Sequence, residues 1–190
     1  GNFWLIALTL SLVFSCSTAI SSNLIPFVLD KNIAASQGAL LISIISGAGL
    51  AGKLLCAGLV DRIDFRWVFA SMLSALCVAM FCFLHAQSYT MLAVSCFIMG
   101  ISSGGALPLW GALLARIYGP DNIGRVMGLM TFIITPGTVL SPPLLGLIFD
   151  RTRSYDYAFV MYIALLIVAM VFVPRIRAGR EKAEPVRAVG

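Results

Sequence analysis

Lys53 is the residue whose placement asks most insistently for a chemical reason. It is the sole Asp, Glu, Lys or Arg between Lys31 and Asp61. It lies eight positions before Asp61, so about 12 Å of helix separates it from the next charge. A charge held inside a membrane costs about 2.5–3.5 kcal/mol on the milder insertion scales and normally faces a cavity or a partner. Its helical neighbours Ser46, Gly49 and Cys56 make a small, partly polar face, flanked by Ile45, Leu55 and Leu59. A lysine above small residues can receive an anion, which makes Lys53, Ser46 and Gly49 expected substrate contacts. The structural alternative is snorkelling to the interface, and the stem shortens that distance without covering it.

Three further residues carry weaker expectations of lining a cavity. Trp110 follows Pro108 and offers either an aromatic wall or ordinary packing. Asn23, with Ser21 and Ser22, precedes Pro26, a pattern expected of a locally broken, pore-lining helix. Thr135 stands with Thr131 and Thr138 around Pro136-Gly137 and invites the same reading. Against these, Ser and Thr inside helices commonly bond back to their own backbone.

Other chemistries lack their groups. An intramembrane enzyme needs a clustered nucleophile, base or metal site, whereas His85 is a lone histidine placed in an expected outer turn. Asp30, Asp61, Asp64, Asp121, Asp150 and Asp156 sit at expected helix ends or loops, and Glu181 and Glu184 in the tail. The five cysteines, Cys16, Cys56, Cys77, Cys82 and Cys96, lie in apolar stretches without metal-ligand spacing, where a free thiol acts as a small hydrophobe. No catalytic residue, metal or cofactor is expected, and the net charge of +5 belongs to helix ends rather than to a nucleic-acid surface.

The elements that must position Lys53 follow from composition. Of 190 residues, 60% are hydrophobic and 11% charged, and mean hydropathy is +0.99. A soluble domain carries roughly 25% charge. Runs this long and apolar are helices, because the membrane interior admits only helices and closed barrels. The charges divide the chain into six expected spans at about 3-29, 38-60, 67-85, 89-116, 125-149 and 156-174, a bundle over 1-175. The Gly119-Pro120-Asp121-Asn122 run marks a turn, and Pro174 closes the last helix. Residues 176-190 read as a disordered cytoplasmic tail. Arg62, Arg66, Arg116, Arg125 and the basic tail fall on one side, against Lys31, Arg151 and Arg153 on the other. The excess of basic residues places both ends in the cytoplasm of an inner or plasma membrane. The start at Gly1 without Met suggests that the sequence begins partway through a longer protein.

The second span ends Gly58-Leu59-Val60-Asp61-Arg62 and the fifth Gly146-Leu147-Ile148-Phe149-Asp150-Arg151. Each is the middle helix of a three-helix group, and the two groups run in opposite directions. That is the signature of an inverted repeat. The Gly100/Gly104 and Gly124/Gly128 pairs have the small-x-x-x-small spacing of close helix packing.

The stretch Ala57-Gly58-Leu59-Val60-Asp61-Arg62-Ile63-Asp64-Phe65-Arg66 resembles the cytoplasmic loop motif of the major facilitator superfamily, G-x-L-a-D-R-x-G-R-K. It matches at Leu59, Asp61, Arg62 and Arg66 and departs at Ala57, Asp64 and Phe65. Gly124-Arg125-Val126-Met127-Gly128-Leu129 and Ser141-Pro142-Pro143-Leu144-Leu145-Gly146 resemble the eleventh helix of monocarboxylate-porter-like and oxalate/formate-antiporter-like members. The resemblance implies an all-α membrane protein of six transmembrane helices in two inverted three-helix repeats, half of a twelve-helix fold whose first six helices are the missing partner. It also implies that Asp61, with Arg62, Arg66 and Arg125, latches the cytoplasmic side at a helix N-terminus, where a carboxylate gains about 0.3–1 kcal/mol. In such families a basic residue at this place in the eighth helix, matched by Lys53, meets the substrate carboxylate.

The expected function is therefore secondary active transport of a small organic anion, a monocarboxylate, by alternating access. The expected partners are that anion, a coupled proton or exchanged anion, and the lipid bilayer. The alternatives left open are a carrier for a different small solute and a free-standing half serving as a membrane assembly subunit.

Overall fold

The computed structural model describes residues 2–60 and 64–173. Asp61, Arg62 and the expected tail lie outside the described residues. The described residues form α1 (Asn2–Asp30), α2 (Ala35–Val60), α3 (Phe65–Leu84), α4 (Tyr89–Gly104), α5 (Ala106–Tyr118), α6 (Ile123–Thr152) and α7 (Asp156–Phe172). There is no strand among them. Helices α4 and α5 together make one apolar stretch over Tyr89–Tyr118, giving six helical spans. Five are long and apolar enough to cross a bilayer, and the sixth, α7, is a shorter apolar helix of 17 residues. Many large apolar side chains remain on the outside, among them Leu54, Trp67, Phe132 and Val139. That surface suits lipid and partner helices rather than water.

The packing carries the inverted repeat into three dimensions. The most extensive helix pairs are α2 with α4 and α1 with α6. Exchanging the first three spans for the last three turns one of these pairs into the other. The same exchange relates α1–α2 to α5–α6, while α3 and α7 pair with each other.

Proline shapes the spans unequally. Pro26 lies inside α1, yet the helix runs on without a break, so the broken segment expected around Ser21–Asn23 is absent. Its cost is one missing N–H, which membrane helices tolerate when other groups re-satisfy the freed carbonyl. Helix α6 holds Pro136, Pro142 and Pro143. There the Ser141 hydroxyl donates to the Thr138 carbonyl at 3.0 Å, the acceptor that Pro142 leaves without its helical donor. The fourth span does break, at Gly105, three residues before Pro108.

The ends of α1, α3 and α7 that meet on one side of the bundle are locked by an aromatic cluster. The Phe27 ring lies 5.1 Å from Tyr155 and 5.5 Å from Phe159, both edge-on, and Phe83 stacks on Phe159 at 5.9 Å. Such pairs add about 0.5–1.5 kcal/mol each beyond area burial.

Candidate functional site

A groove of about 470 Å³ opens between α1, α2 and the α4–α5 junction, within the size range of small-molecule sites. Helical periodicity builds each wall. Phe14, Ser17, Thr18 and Ser21 occupy one face of α1, and Ser46, Gly49 and Lys53 one face of α2. Ser103, Gly104 and Leu107 face them from the broken span.

Glycine brings these walls together. A Cβ added to Gly104 would collide with the Gly49 carbonyl oxygen and lie 2.6 Å from its Cα. One added to Gly100 would lie 2.5 Å from the Ile45 carbonyl oxygen. Helices α2 and α4 therefore touch backbone to backbone, which sets Lys53 and Ser103 over the same space. Gly124 and Gly128, with the same spacing, have no neighbour within 4 Å among the described residues.

Among the described residues, Lys53 makes no hydrogen bond or ion pair. The hydroxyls around it divide into two kinds. Ser46 donates to the Ile42 carbonyl at 3.0 Å and Ser103 to the Met99 carbonyl at 2.9 Å, committing their protons to their own helices. Ser17, Thr18 and Ser21 carry no such bond, and the Ser17 Oγ is buried without a partner. Pro108 also offers no N–H to the Gly104 carbonyl. The groove thus presents one ammonium group and three uncommitted hydroxyl donors between the apolar surfaces of Phe14 and Leu107.

Of the residues singled out in the sequence, Lys53, Ser46 and Gly49 line this groove together. Trp110 does not line it. It is 7% exposed, sends its indole N–H to the Met130 sulfur at 3.3 Å, and meets Phe14 edge-on at 6.4 Å, behind the wall. The Asn23 amide donates to the carbonyls of Ala19 at 2.9 Å and Pro142 at 3.2 Å, tying α1 to α6. Thr135 is exposed on α6 and donates to the Thr131 carbonyl at 2.7 Å. Arg66 is half-buried at the start of α3, and Arg125 is exposed in the first turn of α6. Ser17 and Thr18 were missed by the sequence reading. Their spacing of three and four from Phe14 and Ser21 was the available signal, but it does not say which face of α1 meets Lys53.

A second groove, of about 600 Å³, is larger but lacks a cation among its lining residues. The smaller one is the candidate site, because a charge with no partner among the described residues lies in it.

A sequence model of the Major Facilitator Superfamily matches residues 6–189. Monocarboxylate transporter 12 of Rattus norvegicus is 28% identical over 158 residues, covering 80% of this chain and 32% of that protein. Monocarboxylate transporter 6 of Homo sapiens is 28% identical over 159 residues, covering 78% of this chain and 30% of that protein. A crystal structure of the POT family transporter PepTSo shares the fold at a TM-score of 0.75 and 17% identity, covering 92% of this chain and 37% of that one. The chain spans about a third of the length of these relatives. With six helical spans in two inverted triplets, and with this match over nearly its whole length, the chain belongs to the major facilitator superfamily of membrane transporters and is monocarboxylate-porter-like within it.

Proposed function

We propose that the chain is the C-terminal half of a secondary transporter that moves a small monocarboxylate by alternating access. The observation that carries this reading is Lys53, without a partner among the described residues, in a groove that also holds the uncommitted hydroxyls of Ser17, Thr18 and Ser21. A carboxylate offers about four lone-pair sites and an ammonium three donors, so one lysine and two or three hydroxyls satisfy one carboxylate. Phe14 and Leu107 leave apolar room for a short carbon skeleton. The names of the monocarboxylate transporters among the relatives support the same substrate class. Six further helices would cover the exposed faces of α2 and α6, where Leu54 and Phe132 project. The basic residues that gather on one side support a cytoplasmic location for both chain ends. The acidic residues of the described spans stand at helix ends. A coupled proton therefore travels on the substrate or through the partner half, and anion exchange is the other way to balance charge.

The test is uptake of a labelled short-chain monocarboxylate into vesicles holding the full-length protein, wild type against Lys53→Gln at equal membrane abundance. A hydrogen bond to a charged group contributes about 1.5–3 kcal/mol, so kcat/KM is expected to fall by about 10- to 100-fold. Lys53→Arg should retain part of the activity. Unchanged uptake in Lys53→Gln would overturn the assignment of the anion site.

A further inference from the structure

The ammonium and hydroxyl groups of the Lys53 groove are donors toward an anion, and the wall between them also holds an acceptor. Gly104 lines the groove, and a residue without a side chain can line it only with backbone. A Cβ there would collide with the Gly49 carbonyl oxygen, so this part of the wall is backbone by necessity. The helical donor to the Gly104 carbonyl would be the N–H of residue 108, which is Pro108 and has none. The carbonyls on either side of the break are served: the Gly105 N–H donates to Ile101 at 3.3 Å, and the Leu109 N–H to Gly105 at 3.2 Å. Among the described residues no donor takes the Gly104 carbonyl. The Ser103 and Ser46 hydroxyls are spent on Met99 and Ile42, and those of Ser17, Thr18 and Ser21 do not reach it.

A carbonyl oxygen accepts and cannot donate, and an ionised carboxylate is acceptor-only as well. A plain carboxylate therefore satisfies Lys53 and the hydroxyls of α1 but leaves the Gly104 carbonyl unpaired. A hydroxyl on the substrate brings the missing proton. An ammonium group would bring one too, but it would enter the same groove as the Lys53 ammonium and be repelled by it. Leaving a buried acceptor unmade costs more than making the bond gains. A site that bonds a substrate O–H accordingly rejects the analogue that lacks it.

We propose that the Gly104 carbonyl, freed by Pro108, is a specificity-determining acceptor of the groove, selecting monocarboxylates that carry a hydroxyl over those without an O–H. The inference rests on Lys53 as the anion site. The test is uptake of labelled 2- and 3-hydroxybutanoate, their O-methyl ethers and butanoate into vesicles holding the full-length protein. The ethers keep the oxygen and lose the proton. One hydroxybutanoate is expected to exceed both its ether and butanoate by about five- to tenfold in kcat/KM. Pro108→Ala supplies an N–H to the Gly104 carbonyl and should erase that preference, whatever the total rate. Lys53→Gln should lower uptake of the hydroxy acid and of butanoate by the same factor and keep the preference. An ether or butanoate carried as well as the hydroxy acids in the wild type would overturn the proposal and leave Lys53 in its role. A preference surviving in Pro108→Ala would do the same, and the wild-type comparison decides alone if that variant does not insert. Uptake of both acids unchanged in Lys53→Gln would instead remove the anion site beneath the proposal.

Discussion

Replacing Gly104 by alanine tests whether the α2–α4 seam holds the candidate site together. The added Cβ would lie 2.6 Å from the Gly49 Cα and 2.7 Å from its carbonyl carbon, where ordinary contact begins at 3.4 Å. The backbones must part by at least roughly 0.8 Å, the difference between 3.4 and 2.6 Å, and the Gly49 carbonyl oxygen is closer still. A radial gap of about 0.5–1 Å forfeits a quarter to a half of each dispersion well along a contact. Gly49, Gly52 and Gly100 share that contact, so the loss extends beyond one residue. Overpacking costs about 1–3 kcal/mol, partly offset by about 0.5–1 kcal/mol from the better helix propensity of alanine. The net expectation is a destabilisation of about 1–2 kcal/mol. Gly111→Ala is the control, because a Cβ there has nothing within 4 Å among the described residues. It should be neutral or stabilising by about 0.5–1 kcal/mol. The assay is reversible denaturation of the full-length protein in mixed micelles. Equal stability of Gly104→Ala and Gly111→Ala would refute the reasoning, since the seam would then have slack that the backbone contacts do not show.

Two further outcomes follow from other contacts. Asn23→Leu removes the amide bonds to the Ala19 and Pro142 carbonyls and should cost about 0.6–1.7 kcal/mol in the same denaturation assay; unchanged stability would mean that the α1–α6 tie contributes nothing. Tyr155, in the connection before α7, has its phenol pKa raised by burial and then by the carboxylates of Asp30 and Asp150. The folded state therefore holds that proton more tightly than the unfolded chain. The corresponding stability is complete below the unfolded value of about 10 and is lost as pH rises through the raised folded value. Denaturation midpoints should fall above about pH 10 in the wild type and less steeply in Tyr155→Phe. Identical alkaline slopes would refute this role.

The sequence by itself determined the fold class, because uninterrupted apolar runs leave the backbone no partner but its own helix. It also located a lone charge inside an apolar helix, since Lys53 is the one Asp, Glu, Lys or Arg between Lys31 and Asp61 whatever the packing. It carried the family, through the Leu59, Asp61, Arg62 and Arg66 pattern, and the repeat, through the matching ends of the second and fifth spans. Local pattern did not decide which similar features would act. Gly100/Gly104 and Gly124/Gly128 are indistinguishable by spacing, yet one pair meets a neighbouring backbone and the other lies open. The difference is whether a second helix passes that face, which is set by long-range packing. Pro26 leaves α1 continuous, whereas the span holding Pro108 breaks at Gly105. A lost N–H is absorbed or not according to what surrounds the freed carbonyl. Trp110 and Asn23 look cavity-facing in one dimension but fill the bundle and tie two helices. Ser17, Thr18 and Ser21 share a groove with Lys53 because α1 turns that face toward α2 and the α4–α5 junction. A span that is apolar nearly all round carries little information about its own rotation, so the rotation that assembles the groove is fixed only when the helices pack.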